Sequence, residues 1–144
     1  MLCFLLACTL HWGTPPATRW TLGEVLAPVA EPGLDLALRD AFMAELSGAN
    51  LLGSQDVPAF RIEVLGADWV PAGRSETGVL YEARLSILLS AGSRQQTFSL
   101  SRLSPDPGAA LVVATRARIF EELAAIAAAR AVSWLSLQPA PETL

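Results

Sequence analysis

Two neighbouring segments constrain this chain more than anything else in it: AFRIEVLGADWV (59–70) and VLYEARLSILL (79–89). In the first, Phe60, Ile62 and Val64 alternate with Arg61 and Glu63. In the second, Tyr81, Ala83, Leu85, Ile87 and Leu89 alternate with Glu82, Arg84 and Ser86. A period of two marks a strand with one buried and one wetted face. The link PAGRSETG (71–78) reads as a hairpin loop. Any register that pairs even positions of the first with odd positions of the second, such as 62 with 87 and 64 with 85, gathers both apolar sets on one face. On the other face Arg61, Glu63, Glu82 and Arg84 are expected to pair across the strands.

The remaining segments fill in around this hairpin. WTLGEVLAPV (20–29) reads as a short strand ending near Pro28, and QTFSLSRL (96–103) as a fourth strand. EPGLDLALRDAFMAELSG (31–48) sets Leu34, Ala37, Leu38, Ala41, Phe42 and Leu46 at helical spacing, with Gly48 as its stop. From about Ala114 to Leu135 the residues Ile119, Phe120, Leu123, Ile126, Ala127, Ala131 and Trp134 form a second helical stripe, and SPDPGAALVV before it is a proline-marked turn. The expected fold is α+β: a single mainly antiparallel four-stranded sheet with two helices packed on one face, in the order β-α-β-β-β-α. One domain over residues 20–137 is expected, followed by a loose tail at 138–144.

Composition removes several functions. The net charge is −4, and the ten cations, all arginine, stand singly, so no basic track for nucleic acid exists. Apolar residues make up 52% of the chain, and its mean hydropathy of +0.41 points to a membrane or a large partner. No run of apolar residues is long enough to span a bilayer; the nearest, Ile119 to Leu137, is interrupted by Glu121, Glu122 and Arg130.

The two cysteines, Cys3 and Cys8, precede the body, which therefore holds neither thiol nor disulfide. Cys3, Cys8 and His11 make three donors without a fourth, short of a structural zinc shell. Leu5-Leu6-Ala7-Cys8 resembles instead a bacterial lipobox, in which a small residue precedes a cysteine that becomes the lipidated first residue. On that reading residues 1–7 are a partial lipoprotein signal peptide, without the usual upstream cation, and residues 8–19, with Pro15-Pro16, a lipidated arm. A frayed apolar N-terminus is the alternative.

Catalytic patterns are sparse. The single histidine sits on the arm, where no base can be positioned for a nucleophile. GRSETG (73–78) is not a nucleophile elbow, and no phosphate-binding glycine loop opens either helix. Asp68, Glu76, Glu82, Glu121 and Glu122 leave two-carboxylate chemistry open, although arginines on strand and helix faces offer these groups ordinary ion-pair roles. The expectation is a chain that is not an enzyme and carries no cofactor or metal.

At this point the residues carry a family likeness. Cys8 followed by His11 three places on, DVPAFRI before the second strand, Tyr81-Glu82 in the third, and DPGAAL leading into the last helix resemble the LPS-assembly lipoprotein LptE family over nearly the whole chain. Members often open C-G-aromatic-H-L-R, where this chain has Thr9, Leu10, Trp12 and Gly13 around His11. The resemblance implies an outer-membrane lipoprotein of a Gram-negative envelope, on the periplasmic side and anchored through Cys8. Its implied partners are an LptD-like β-barrel and lipopolysaccharide. It implies an LPS contact from the loop between the second and third strands, where Arg74 stands; a solvated loop charge is the alternative reading. The family's second basic position is occupied by Val112 and Val113, which leaves Arg116 and Arg118, about a turn later, to replace it.

The sheet face opposite the core is expected to carry Leu65, Trp69, Leu80 and Leu88, an apolar surface suited to a partner. The arm or loops of the same chain are the alternative cover. Two other functions compete: an auxiliary lipoprotein of an ABC-type envelope lipid transporter, and, with least support from the residues, a small carboxylate-dependent periplasmic hydrolase.

Overall fold

The computed structural model describes residues 18–27, 31–76 and 78–139. Cys3, Cys8, His11 and the lipobox lie outside the described residues. The elements follow the order β1 (Thr21–Leu26), α1 (Leu34–Gly48), β2 (Ala59–Ser75), β3 (Gly78–Ala91), β4 (Arg94–Pro105) and α2 (Val112–Ser136). They build one open sheet in the spatial order β1-β2-β3-β4. The fold is α+β with a mostly antiparallel sheet, as the alternation requires; β1 alone runs parallel to its neighbour β2, with α1 as the crossover between them.

The local reasons are visible in sequence. Gly33 enters α1 at φ 83, a conformation that glycine adopts without strain, and Asp35 lies in the first turn, where the helix dipole favours a carboxylate. After Gly48 the chain reverses through Asn50 at φ 56, tolerated by asparagine, while the Leu51 amide donates to the Leu46 carbonyl. The β3–β4 turn is the pair Gly92-Ser93, with Gly92 at the positive φ of 61 that tight hairpins need.

Leu34, Leu38, Phe42 and Leu46, four residues apart on α1, are fully buried against the sheet, and the Phe42 and Phe60 rings meet at 5.6 Å. Ala83, Leu85, Ile87, Leu89 and Ala91 supply the core side of β3. The buried stripe of α2 is Ile119, Phe120, Leu123, Ala124, Ala127, Ala128, Ala131, Val132 and Leu135. One expectation for this helix is corrected: Ile126 is 43% exposed, whereas Trp134, half-buried, packs against the core as expected. Small alanines at 124, 127, 128 and 131 let α2 approach both α1 and the sheet, which rotates the buried face away from Ile126.

The β2–β3 register has the expected parity and differs by two residues: Ile62 pairs with Leu89 and Val64 with Ile87. The segment 71–78 is not a loop. Pairing continues from Pro71↔Tyr81 to Ser75↔Gly78, leaving only residues 76 and 77 as the connection.

A two-patch sheet face and an ion-paired helix start

Two bulges in β2 decide which side chains reach the free face of the sheet. Leu65 is inserted between Val64↔Ile87 and Gly66↔Ser86, and Ala72 between Pro71↔Tyr81 and Gly73↔Leu80. Each inserted residue shifts the side-chain alternation by one. Beyond the first bulge the core-side residues are therefore Ala67 and Trp69 instead of Asp68 and Val70. Trp69, expected on the free face, pairs with Ala83, packs against the core and stacks on Tyr81 at 5.5 Å. Val70 takes its place outside, opposite Glu82.

Leu80 and Leu88 do lie on the free face, both half-buried, across from Gly73 and Glu63. Leu65 is 53% exposed at its bulge. Leu103, which the sequence reading missed, is 59% exposed and faces Glu82 from β4. Its signal was available: Phe98 and Leu100 set an even parity that Leu103 breaks. The face is divided. Leu88 and Leu65 lie toward one end of it and Val70, Leu80 and Leu103, set around Glu82, toward the other, separated by the Ser86–Ser99 hydroxyl pair at 3.0 Å and by Asp68 and Arg84.

The charges on this face pair along strands more than across the β2–β3 hairpin. Arg84 Nε donates to Glu82 at 2.8 Å within β3, and Arg61 lies 3.7 Å from Glu63 in its own strand and 3.8 Å from Glu24 of β1. Arg61 and Glu63 have the uncharged Ser90 and Leu88 directly across β3, which leaves them to each other and to Glu24, whereas Arg84 faces Asp68 and still places its hydrogen bonds on Glu82. The Arg84 guanidinium, with a smaller contribution from Ser101, holds the Glu82 carboxyl below the ordinary glutamate value.

The three arginines proposed for LPS are placed differently from one another. Arg74 is exposed near the tip of the β2–β3 hairpin, in register with Val79. Arg116 is bound: its Nε donates to Glu31 at 2.7 Å, its Nη2 contacts the same oxygen, and its guanidinium lies 5.8 Å from the Phe120 ring centroid. Glu31 is only 7% exposed, so Arg116 ties the entry of α1 to α2. Arg118 donates to Glu122 at 2.6 Å, and Arg102 of β4 meets the same carboxylate. Two of the three cations are thus held by carboxylates.

Two of the five carboxylates considered for catalysis are engaged in the same way, Glu82 with Arg84 and Glu122 with Arg102 and Arg118. Among the described residues no group of three histidine, cysteine or acidic side chains is arranged to hold a metal ion. No helix among them is long and apolar enough to cross a membrane.

No family model and no curated protein matches the chain. Solved structures do. A minor lipoprotein from Acinetobacter baumannii superposes with a TM-score of 0.56 at 13% identity, covering 90% of this chain and 99% of that one. The rare lipoprotein B from Shewanella oneidensis gives 0.50 at 16% identity over 82% and 93%. A DUF330 protein from Xanthomonas campestris gives 0.57 at 16% over 84% and 87%. The fold is one that solved bacterial lipoproteins share. At these identities the likeness concerns the path of the backbone, and the two-patch face and the Glu31–Arg116 tie are described from this chain alone.

Proposed function

We propose that the chain is a lipid-anchored envelope protein of the LptE type. On this reading it is held on the periplasmic side of the outer membrane by acyl chains on Cys8 and docks through its free sheet face against an LptD-like barrel. It acts there without catalysis, assisting the passage of lipopolysaccharide. The observation that carries the reading is the apolar surface of exposed Leu65 and Leu103 and half-buried Val70, Leu80 and Leu88, on the side of the sheet that, among the described residues, neither α1 nor α2 covers. The lipobox sequence and the shared fold with proteins called minor lipoprotein and rare lipoprotein B support the anchor. Arg74, exposed and free of ion pairs among the described residues, is the cation best placed to meet an anionic head group.

The test is site-specific photocrosslinking in a Gram-negative host that expresses the chain behind a lipoprotein signal peptide. A photoreactive residue at Leu103 or Leu80 is expected to capture an outer-membrane β-barrel, recognised by its heat-modifiable migration and by mass spectrometry. Capture of an inner-membrane permease complex instead would favour the transporter-auxiliary role and overturn the barrel reading. Purified protein and Arg74→Glu, compared for LPS capture at two salt concentrations, test the ligand contact separately; equal capture removes Arg74 from it.

A further inference from the structure

The sheet has two edges, and they are built differently. The β1 edge is six residues long, is broken between Leu22 and Val25, and carries Glu24. Such features keep an edge from pairing with another strand. The β4 edge is twelve residues long and pairs with β3 without a single irregularity. From Gln95 to Ser101 it has no charge, proline or glycine. Beside it, on the helix side, Ile126 is 43% exposed, one turn beyond the Glu122 that Arg102 of β4 reaches.

We propose that β4 pairs antiparallel with β4 of a second copy, about a two-fold axis through Ser99, making an eight-stranded sheet. The register follows from charge. An axis through Phe98 would set Arg94 against the second copy's Arg102, whereas an axis through Ser99 sets Arg102 against Gln96, Phe98 against Leu100 and Thr97 against Ser101, with no like charges opposed. The helices fit the same arrangement. α2 lies over β3 and β4 alike, so its axis runs about half a strand spacing inside the edge. Adding one spacing of about 4.8 Å across the junction and half a spacing on each side puts the two α2 axes about 10 Å apart, the distance at which helices pack. The contacts Arg102–Glu122 and Arg94–Gln138 fix the level of each helix beside β4. They place the turn around residues 126–129 beside Ser99. There exposed Ile126, with the small Ala125 and Ala129, comes to the axis.

The experiment uses the full chain with Cys3→Ser and Cys8→Ser, in detergent above and below its association range. Analytical ultracentrifugation is expected to give a species of twice the 15.3 kDa chain mass. Ile126→Glu, at a helix position 43% exposed and with its thermal unfolding measured beside the parent's, is expected to weaken association by about tenfold or more, since it brings two carboxylates to the axis. Ser99→Cys is expected to form an intermolecular disulfide on mild oxidation, because residues facing each other across an antiparallel pair stand within the Cα separation a disulfide spans. Leu65→Cys, on β2 and two strands in from that edge, should not. A monomer at every concentration overturns the proposal. A dimer indifferent to Ile126→Glu, or one cross-linked through Leu65→Cys and not Ser99→Cys, overturns it equally.

Discussion

Replacing Arg116 by alanine tests whether this residue holds the fold together or waits for a ligand. Its partner Glu31 is 7% exposed, and removal of the guanidinium leaves that carboxylate shielded from water with no counter-charge. Stripping one member from a fully buried pair costs about 3–5 kcal/mol, and a single hydrogen bond to a charged group contributes about 1.5–3 kcal/mol. Arg116 itself is 34% exposed, so solvent screens part of the interaction and admits some water to Glu31 in the variant. The expected loss is therefore about 2 kcal/mol, or about 8 °C in Tm for a domain of this size. Urea denaturation followed by circular dichroism measures it, with Arg118→Ala as the control: that side chain is 60% exposed and should change stability by no more than about 0.5 kcal/mol. A cycle with Glu31→Gln should show coupling of at least about 1 kcal/mol. An Arg116→Ala protein as stable as the parent, or additivity in the cycle, would refute the assignment and return Arg116 to the ligand candidates.

Leu123→Ala, at a side chain only 1% exposed, should cost about 2–5 kcal/mol in urea denaturation. Trp69→Ala should cost about 3 kcal/mol by the same measurement, whereas Leu65→Ser and Leu103→Ser should stay within about 0.5 kcal/mol; equal losses would contradict the inversion of β2 at its bulge. Arg74→Glu should leave thermal unfolding within about 0.5 kcal/mol of the parent, since its side chain is exposed and free of ion pairs among the described residues. Because the folded pKa of Glu82 lies below its unfolded value, its small stabilising contribution is present above the unfolded pKa and disappears as pH falls through the folded one. Carboxyl NMR titration should find the Glu82 midpoint raised in Arg84→Ala, and an unmoved midpoint would remove Arg84 as the cause.

What sequence could reveal here depended on how far the deciding interaction lies along the chain. β3 was legible throughout, because its alternation is unbroken from Tyr81 to Leu89 and every odd position is core-facing. β2 was legible only to Val64. Alternation has no way to register an inserted residue, so the outer position assigned to Trp69 belonged to an unbulged strand; Gly66, next to the insertion, was the one local hint. On α2 the larger Ile126 outweighed Ala124 and Ala128 in the stripe, although the close approach to α1 favours the smaller ones. The Glu31–Arg116 tie spans 85 positions and leaves no local trace.

The divided free face bears on what kind of partner suits it. Leu80 and Leu88 stand eight residues apart on one strand, about 27 Å at the usual rise, with hydroxyl and charged side chains between them. A ligand the size of a sugar or a single acyl chain covers one patch and leaves the other in water, so the pair gains nothing from being on the same face. A surface that runs the length of the strands covers both at once and can leave the Ser86–Ser99 region hydrated, since polar contacts and trapped water are ordinary at the interior of protein interfaces. The spacing therefore fits a wall of regular structure better than a pocket occupant. The bulge at Leu65 fits it as well: by turning Trp69 inward it removes the bulkiest side chain from the middle of the face, where it would hold a flat partner away from both patches.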